Sequence, residues 1–456
     1  MSLTTPNYSF RDSGVEWLGE VPMHWKVMAI KRLVSVPITD GPHETPVFQD
    51  SGVPFLSAEG VSSGAIDFNR VRGFISEELD AEYSKKYSPL RHDIFMVKSG
   101  ATTGITAIVE TDRHFNIWSP LAAIRCNAAT DPHFTHYFLR SRNFQEAIEL
   151  NWSFGTQQNI GMGVIENLYV ARPPLDEAGQ IAKFLDYETA KIDALIEKQQ
   201  QLIALLKEKR QAVISHAVTK GLNPDAPMRD SGVEWLGEVP AHWEVARINK
   251  FSYKITNGYV GPTRGLFVDD GIKYLQSLHI KSNRVVFTPT YYVSPEWSAS
   301  KQKSVLREGD VLIVQTGDIG QSACVPAEFA GANCHALIVV ATNQAIVSGQ
   351  YLSWCLNSDY GSQSLKSIQT GALHPHLNCG TVKFLPIPVP PMEEQLLIVE
   401  RVDGERARYD KLQLAAEEQI DLLQERRTAL ISAAVTGKID VRGWKPPKPE
   451  PATEAA

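Results

Sequence analysis

The stretch RDSGVEWLGEVPMHWKV at residues 11–27 occurs again as RDSGVEWLGEVPAHWEV at residues 229–245. Fifteen of these 17 positions are identical, so the chain contains an internal repeat, and a repeat of this kind constrains the whole architecture. A second pair lies downstream, at Pro173–Thr219 and Pro390–Thr436, without gaps and 217 positions apart. The duplication predicts two halves that share one structural frame.

The second repeat is marked by matched residues that are widely spaced along the chain. They are the pairs Pro174/Pro391, Glu177/Glu394, Asp193/Asp410, Leu195/Leu412, Glu208/Glu425, Arg210/Arg427 and Ser215/Ser432. Between the two repeats the halves diverge, although Asp93 with Gly100 and Gly104 parallels Asp310 with Gly317 and Gly320. We interpret the similar edges and different middles as a common frame that carries two different binding domains. A recent duplication without functional meaning is the alternative.

Both copies of the second repeat are predicted to form long helices of some 42 residues, or rods of roughly 60 Å. Each begins after a Pro-Pro pair with acidic residues, Asp176-Glu177 or Glu393-Glu394, which suit a helix N-terminus, and ends near Gly221 or Gly437. Apolar residues follow the 4-3 spacing of a coiled coil at Ile181, Leu185, Ile192, Leu195, Leu202, Leu206 and Val213, and at Ile398, Val402, Tyr409, Leu412, Leu423 and Leu430. An ordinary helical hairpin in a globular core is the alternative.

The divergent regions, 22–168 and 240–385, have the pattern of mixed α+β domains. Short runs rich in Val, Ile, Phe and Tyr predict strands at Val53–Leu56, Asp93–Val97, Lys273–Leu275, Val311–Val314 and Leu337–Val340, with helices near Phe134–Leu150 and Gly349–Ile368. The predicted order is a first domain at 1–170, a long helix at 171–222, a second domain at 223–387, a second long helix at 388–443 and a disordered tail at 444–456. The predicted fold class is α+β, with two mixed domains joined by two long antiparallel coiled-coil helices in a pseudo-twofold internal repeat.

The composition excludes several classes of protein. No apolar run approaches the roughly 18 residues that a membrane span needs, and the first residues lack the pattern of a signal peptide. Five unevenly spread cysteines argue against a disulfide scaffold and favour a reducing, cytoplasmic setting. The net charge of −7 argues against a generally basic protein that coats nucleic acid, but it permits a locally basic binding face.

Motifs for catalysis or metal binding are not found in the sequence. It has no Gly-x-Gly-x-x-Gly after a strand, no phosphate-binding Gly-x-x-x-x-Gly-Lys-Ser/Thr and no Asn/Asp-Pro-Pro-Tyr of an amino-methyltransferase. The spacings of Cys324, Cys334-His335, Cys355, His374, His376 and Cys379 fit no standard zinc site. We therefore expect no catalytic residue, no bound cofactor and no metal ion on this chain.

The order of variable domain, long helix, variable domain and long helix resembles the specificity subunit of type I restriction-modification systems, the HsdS family. The resemblance covers residues 11–443. It rests on the duplicated SGVEWLGEVPxHW, the Pro-Pro helix starts at Pro173–Gln180 and Pro390–Gln395, and the helix ends Arg210–Thr219 and Arg427–Thr436. Gly155-Thr-Gln-Gln-Asn-Ile is also usual for the family, whereas the second half departs with Gly371-Ala-Leu-His-Pro-His-Leu.

The resemblance implies a non-catalytic subunit that binds double-stranded DNA through two target-recognition domains, each reading one half of a bipartite, asymmetric site. It implies that the helices set the unread spacer and dock two methyltransferase subunits, which carry S-adenosylmethionine and methylate adenine N6. Restriction and translocase subunits with ATP and magnesium would join them, in the cytoplasm and without a membrane. Two half-sites on one side of a duplex should have their centres about one turn, roughly 34 Å, apart.

The candidate DNA contacts are polar and basic residues in predicted turns, because such side chains bind base edges and phosphates. Region 22–170 has 13 basic and 16 acidic residues, and region 240–387 has 12 and 9, so the second domain is the better electrostatic candidate. In the first domain the candidates are Arg70, Arg72, Lys98, Thr102, Thr103, Gln157, Gln158 and Asn159. In the second they are Asn257, Tyr259, Arg264, Lys281, Asn283, Arg284, Gln315, Gln321 and His374.

Other interpretations stay open on the sequence alone. Trp17, Trp25, Trp235 and Trp243 could anchor partner subunits or could pack each domain against the helical frame. The rival function is a coiled-coil scaffold that spaces two ligand-binding domains without a role on DNA. A self-sufficient modification or restriction enzyme is a third interpretation, which the missing motifs disfavour.

Overall fold

The computed structural model describes residues 8–154, 158–371 and 375–447, and the chain divides into two compact units. Unit 1 comprises the chain up to Gln199 together with the chain from Glu418 onward, and unit 2 is Gln200–Glu417. The division lies within the two long helices. Each unit therefore contains one mixed domain and a part of both helices.

In its described residues unit 1 contains short strands, four short α-helices and parts of both long helices. Its strands are β1 (Phe10–Asp12), β2 (Glu20–Pro22), β3 (Lys26–Ala29), β4 (Thr39–Asp40), β5 (Val53–Leu56), β6 (Gly73–Ile75), β7 (Ile94–Val97), β8 (Thr106–Ile108), β9 (Asn116–Ile117), β10 (Leu121–Ile124), β11 (Ser153–Phe154), β12 (Gln158–Asn159) and β13 (Tyr169–Arg172). Its helices are α1 (Glu77–Tyr83), α2 (Pro132–Leu139), α3 (Arg142–Asn151), α4 (Met162–Asn167), the start of α5 (Leu175–Lys220) and the end of α10 (Met392–Val435).

Unit 2 follows with a similar series. Its strands are β14 (Met228–Asp230), β15 (Glu238–Pro240), β16 (Glu244–Arg247), β17 (Ser252–Asn257), β18 (Ile272–Leu275), β19 (Ile280–Lys281), β20 (Arg284–Val285), β21 (Tyr292–Val293), β22 (Val311–Val314), β23 (Ser322–Cys324), β24 (Asn333–Cys334), β25 (Leu337–Thr342) and β26 (Pro386–Val389). Its helices are the end of α5, α6 (Pro295–Ser300), α7 (Gly349–Asn357), α8 (Asp359–Ser367), α9 (Cys379–Val382) and the start of α10 (Met392–Val435).

The sheets of the two units have the same topology. An antiparallel four-stranded sheet has the order β4-β10-β7-β8 in unit 1 and β17-β25-β22-β23 in unit 2. A three-stranded sheet, β6-β5-β9 or β21-β18-β24, contains one parallel pair in each unit. The first and last strands of each domain pair as β3 with β13 and β16 with β26. The internal repeat therefore extends through the divergent regions as a shared fold.

The long helices begin and end where the sequence predicts. Helix α5 starts directly after Pro173-Pro174 and α10 directly after Pro390-Pro391, and they end one residue before Gly221 and two before Gly437. Each glycine has a positive φ, as expected of a residue that terminates a helix. The two mixed domains with matching sheets and the two long helices confirm the predicted α+β fold class.

Within each unit the two helix segments run antiparallel. In unit 1 Arg427 forms an ion pair with Asp193 at 2.8 Å. Nearer the start of α5, the Gln180 side-chain amide donates to the backbone carbonyl of Trp444, which follows α10, so the chain after Arg427 runs back along α5. In unit 2 Arg210 pairs with Asp410 at 2.7 Å, and the end of α5 shares a buried cluster with Ile398 near the start of α10. The matched Asp and Arg residues of the repeat are thus the partners of one another.

The apolar residues of the 4-3 pattern differ in burial along the helices. Ile181, Leu185 and Ile398 are buried, whereas Leu195, Leu202 and Leu412 are 47%, 43% and 45% exposed. A pair of helices covers each side chain from one side only, so the residues remote from the domains keep contact with solvent. The central leucines are therefore available to a further surface.

A hydrogen-bonded cluster joins the repeated N-terminal segment to the start of each long helix. Glu177 accepts hydrogen bonds from the Trp25 indole at 3.2 Å and pairs with His24 at 2.7 Å. Glu394 does the same with Trp243 at 3.0 Å and His242 at 2.8 Å. Both tryptophans are buried, and this identifies them as packing residues of the frame.

The other two tryptophans of the repeat differ from this pair and from each other. Trp17 is half-buried against Phe144, with ring centres 6.0 Å apart, whereas Trp235 is 51% exposed. Trp444, which the sequence analysis assigns to the tail, packs against Phe184 and Tyr187 of α5.

Each predicted helix at Phe134–Leu150 and Gly349–Ile368 is divided in two, because a buried serine begins a new helix. Ser141 caps α3 and Ser358 caps α8 through their hydroxyls. A second serine, supplied by a long helix, accepts from the next backbone amide: Ser432 from Arg142 and Ser215 from Asp359, each at 2.9 Å. The matched Ser215/Ser432 pair thus fixes a domain helix to a long helix in both units.

None of the helices in the described parts of the chain combines the length and the hydropathy needed to cross a lipid bilayer.

Replacing Glu394 by alanine should lower the free energy of unfolding by about 1–3 kcal/mol, because the buried Trp243 indole then has no acceptor. Urea denaturation followed by fluorescence measures this change. The neighbouring exposed Glu393→Ala is the control and should change the free energy by less than about 0.5 kcal/mol. Equal effects of the two substitutions would contradict the role assigned to Glu394.

Candidate nucleic-acid interface

In each unit one end of the four-stranded sheet gathers three polar segments. In unit 1 these are the turn after β4, the loop 98–105 between β7 and β8, and the hairpin of β11 and β12. In unit 2 they are the turn after β17, the loop 315–321 between β22 and β23, and the described residues 369–371 and 375–377. We refer to this region as the sheet-end surface of each unit.

Two lysines share one buried carboxylate at the sheet-end surface of unit 1. Asp40, the last residue of β4, accepts a hydrogen bond from Lys86 at 2.6 Å and lies 3.1 Å from the Lys98 ammonium. His43 is also 3.1 Å from the same carboxylate. Burial by itself would raise the pKa of Asp40, but the hydrogen bonds and charges of Lys86 and Lys98 lower this pKa below its ordinary value. Lys98, a predicted DNA contact, is therefore held by an internal counter-ion.

Unit 2 carries uncharged side chains at the same two positions. Val314 pairs with the first residue of β25 as Val97 pairs with the first residue of β10, so Gln315 corresponds to Lys98. Asn257 and Asp40 likewise each pair with the second residue of those strands. The side-chain oxygen of Asn257, Oδ1, accepts a hydrogen bond from the Cys379 thiol at 2.8 Å. The hydrogens of the Asn257 side-chain amide are left for other partners. The two units thus present different chemistry at one shared place.

A glycine follows Asp40 in unit 1 and Asn257 in unit 2, and it lets the end of the strand pack closely against a neighbouring backbone. A Cβ atom at Gly41 would overlap the Ile117 carbonyl, and one at Gly258 would overlap the Cys334 carbonyl. The sequence Thr-Asp-Gly at 39–41 and Thr-Asn-Gly at 256–258 has the 217-residue offset of the repeat. This offset was the signal that could have identified Asp40, which the sequence analysis missed.

The hairpin segments of the two units are equivalent although their sequences differ. In unit 1 the Ile160 amide donates to the Lys98 carbonyl at 2.8 Å, and in unit 2 the Leu377 amide donates to the Gln315 carbonyl at 3.0 Å. The Thr370–His376 bridge takes the place of the Ser153–Asn159 pair. Where the structure describes this segment, at Thr370 and His376–Leu377, its backbone contacts match those of unit 1 although the sequence departs from the family pattern. The candidates Gln157 and His374 are separated by the 217-residue offset of the repeat and lie outside the described residues.

The remaining candidates of unit 1 are distributed around the sheet-end surface. Gln158 and Asn159 form β12, and Thr102 is half-buried in the loop after β7. Thr103 is buried, and its hydroxyl donates to the Gly100 carbonyl at 2.8 Å, so it holds the loop together.

Arg70 and Arg72 are exposed just before β6. The Arg72 guanidinium lies 5.7 Å from the centre of the Trp118 ring and 3.5 Å from Glu59. The Trp118 indole in turn donates to the Glu44 carbonyl in the loop after β4. Arg72 is therefore connected to the sheet-end surface through Trp118.

The remaining candidates of unit 2 fall into two groups. Arg264 and Gln321 are exposed in the loops after β17 and β22, and Tyr259 packs edge-on against Trp297 with ring centres 5.0 Å apart. These three belong to the sheet-end surface.

Lys281, Asn283 and Arg284 belong to the β19–β20 hairpin, which packs beside β23. Lys281 is exposed, and the Asn283 side chain lies 2.9 Å from Asn357 of α7. Arg284 lines a cavity of about 680 Å³ together with Asp403 and Arg406 of α10. The structure thus places Asn283 and Arg284 next to the long helix.

Comparison with known proteins identifies the family. The model of the type I restriction modification DNA specificity domain matches this chain twice, at residues 22–205 and 243–420. These two matches span more than half of the chain. The chain belongs to the type I restriction modification DNA specificity domain family. Each copy of the specificity domain includes one mixed domain and part of the long helix that follows it.

Curated relatives are similar in sequence to this chain over most of their own length. The putative type I restriction enzyme MjaX specificity subunit of Methanocaldococcus jannaschii is 25% identical, over 93% of this chain and 96% of its own. The type I restriction enzyme EcoBI specificity subunit of Escherichia coli is 24% identical, over 75% of each chain.

Solved structures of this family have the same fold. A chain from a study of complex assembly and conformational transition of the type I R-M system matches with a TM-score of 0.69 and 16% identity, over 92% of this chain and 99% of that one. The HsdS subunit of Thermoanaerobacter tengcongensis matches with a TM-score of 0.50 and 16% identity, over 92% of this chain and 98% of that one.

Replacing Asp40 by asparagine, the residue of the other specificity domain, should lower the free energy of unfolding by about 2 kcal/mol at pH 7. The folded pKa of Asp40 is depressed, so its stabilisation is present above the unfolded pKa of about 3.9 and is lost as the pH falls through the folded value. The difference from wild type should therefore shrink below about pH 4. Urea denaturation at pH 7, 5 and 3.5 measures it, with the exposed Asp50→Asn as control. A difference that grows towards acid would contradict the assignment.

Proposed function

We propose that this chain is the DNA-specificity subunit of a type I restriction-modification complex and that each unit reads one half of a bipartite, asymmetric duplex site. The observation that carries the proposal is the contrast at the sheet-end surfaces. One fold and one backbone arrangement present Asp40 and Lys98 in unit 1 but Asn257 and Gln315 in unit 2. Two binding sites of the same shape with different chemistry suit two half-sites of different sequence.

The chemistry of the two surfaces matches groups that duplex DNA presents. Asn and Gln side chains bind adenine edges through paired hydrogen bonds, and Arg and Lys bind guanine edges or phosphates. Unit 2 offers Asn257, Gln315, Gln321 and Arg264 on one surface. Unit 1 offers Lys98 and Arg72, whose charges are partly balanced by Asp40 and Glu59.

Partner subunits would supply the chemistry of modification and restriction. We propose that methyltransferase subunits dock on the long helices, carry S-adenosylmethionine and methylate adenine N6 in each half-site. Exposed leucines of α5 and α10, including Leu195, Leu202, Leu205, Leu412, Leu414 and Leu422, support a protein partner there, as does the exposed Trp235. Restriction and translocase subunits with ATP and magnesium would complete a cytoplasmic complex, and this chain would contribute no catalytic residue.

A scaffold without a role on DNA explains the available observations less well. It would account for the long helices and for the duplicated domains. It would not by itself call for the amide side chains of Asn257 and Gln315, which suit base edges, at the two positions where unit 1 has Asp40 and Lys98. The similarity to type I specificity subunits over nearly the whole chain also favours the DNA-reading function.

Replacing Gln315 and Gln321 by alanine should weaken recognition of one half-site only. Each lost base contact should cost about 1–3 kcal/mol, so discrimination at that half should fall roughly tenfold or more. The measurement is competition binding of the complex with its methyltransferase to duplexes with single base changes in either half. Gln424→Ala, an exposed glutamine of α10, is the matched control and should leave both halves unchanged. Equal relaxation at both half-sites would contradict separate reading by the two units.

Inserting four residues after Gln201 should change the length of the unread spacer and leave both half-sites as they are. Helix α5 continues without a break across this point, and four residues add about 6 Å, or one to two base-pair steps. An equal insertion after Glu418 of α10 accompanies it, because Asp193 and Arg210 on α5 are as far apart in sequence as Asp410 and Arg427 on α10, so only equal lengthening of both helices keeps both ion pairs. Selection from a library of duplexes with variable gaps measures the result. A change in the half-site bases would contradict the division between frame and domains.

A further inference from the structure

Three side chains of metal-ligand type meet on the surface of unit 1. They are His92 in the turn before β7, Glu110 after β8 and His133 in the first turn of α2, and their donor atoms all lie within 4.8 Å of one another. The Glu110 carboxylate is 3.5 Å from His133 Nδ1 and 4.0 Å from His92 Nε2. Donors about 2.0–2.1 Å from a tetrahedral zinc ion are roughly 3.4 Å apart, so small side-chain rotations would suffice to bind one.

The histidine at position 92 has a backbone conformation that favours glycine. Its φ is +71°, whereas the matching residue of unit 2 is Gly309 with φ +83°. The two turns are equivalent, because Asp93 accepts from the Leu90 amide at 2.8 Å and Asp310 from the Arg307 amide at 2.9 Å. A left-handed conformation costs a residue with a side chain more than it costs glycine, and such strain is concentrated at functional sites.

The other two residues of the cluster also differ from their counterparts in unit 2. The Val109 amide donates to the Asp93 carbonyl as the Val325 amide donates to that of Asp310, so Glu110 corresponds to Pro326. His133 is the second residue of α2 and corresponds to Gln350, the second residue of α7. None of the three counterparts is a usual zinc ligand. The cluster therefore does not belong to the shared frame.

We propose that His92, Glu110 and His133 bind a divalent transition-metal ion of the zinc class. Two imidazoles and one carboxylate suit Zn²⁺, Co²⁺ and Ni²⁺, with water at the remaining positions. Arg91 lies 3.7 Å from the same carboxylate, but it forms a shorter ion pair, 3.2 Å, with Asp112, which balances its charge. The inference does not depend on the proposed DNA-reading function.

The bound ion would fix three segments of unit 1 to one another. It would join the turn at His92 and the loop at Glu110 to the first turn of α2. Next to that turn, Asp93 is buried and accepts two hydrogen bonds from Arg125, at 2.8 and 2.7 Å, and one from Tyr87 at 2.6 Å. Metal binding would therefore stabilise the edge of the four-stranded sheet against α2.

Isothermal titration of the full chain with Zn²⁺ tests the proposal. The wild-type chain should bind one zinc ion, and the His92→Gly and His133→Gln variants should each bind it at least tenfold more weakly. Zinc should also raise the Tm of the wild-type chain by roughly 3–6 °C. His92→Gly installs the residue of unit 2 and relieves the turn, so it should fold without metal at least as well as wild type. His216→Gln, an exposed histidine of α5, is the control and should bind as wild type does.

Two results would overturn the proposal. One is equal zinc affinity of wild type, His92→Gly and His133→Gln, which would place any bound ion elsewhere. The other is binding that leaves the Tm of wild type and His92→Gly equally unchanged, which would show that the ion does not join the three segments.

Discussion

A single carboxylate at the start of each long helix connects the two parts of the repeat. Glu177 and Glu394 accept hydrogen bonds from a buried indole and contact a histidine of the segment that lies some 150 residues earlier in the chain. The Arg–Asp pairs between the helices and the serine contacts to the domain helices extend the same connection. Because every one of these contacts occurs in both units, the residues that make them are restricted in both copies, whereas the rest of each domain is free to change.

That freedom is visible at positions where the backbone is shared and the chemistry is not. Unit 2 has Gln315 and Asn257 where unit 1 has Lys98 and Asp40. In both units a neighbouring segment donates a backbone amide to the carbonyl of Lys98 or Gln315, although the two segments differ in sequence. The substitution of His92, Glu110 and His133 by residues that do not bind metal follows the same rule. In physical terms, the turn geometry and strand pairing are set by backbone hydrogen bonds, so side chains at these positions can be exchanged while the backbone arrangement stays the same.

The sequence predicts the frame well because its residues recur at a fixed offset. The Pro-Pro starts, the glycine ends and the pairs Asp193/Asp410 and Arg210/Arg427 all have direct structural roles. The division of each predicted domain helix at Ser141 and Ser358 was missed, because a serine at a helix start resembles any polar residue within a helix. The exposure of Leu195 and Leu202 was missed because a 4-3 spacing shows which face is apolar but not what covers it.

The site was harder to predict than the frame, for a related reason. Base contacts have no required spacing, and a polar residue in a turn also serves the turn itself, as Thr103 does. The structure places the candidate Lys98 at the sheet-end surface, but its counter-ion Asp40 lies 58 positions earlier and could be recognised only by alignment of the two halves. Asn283 and Arg284 were chosen for their turn, which the structure places beside α10.

The central claim is that one frame carries two units with separate DNA specificities. Genome-wide methylation sequencing tests it most directly, in a host that expresses this chain with the methyltransferase of its own system and in the same host without this chain. The account predicts a bipartite motif of two unlike half-sites with a fixed gap, methylated on both strands and lost when this chain is absent. A continuous motif, two identical half-sites or methylation that persists without this chain would contradict it.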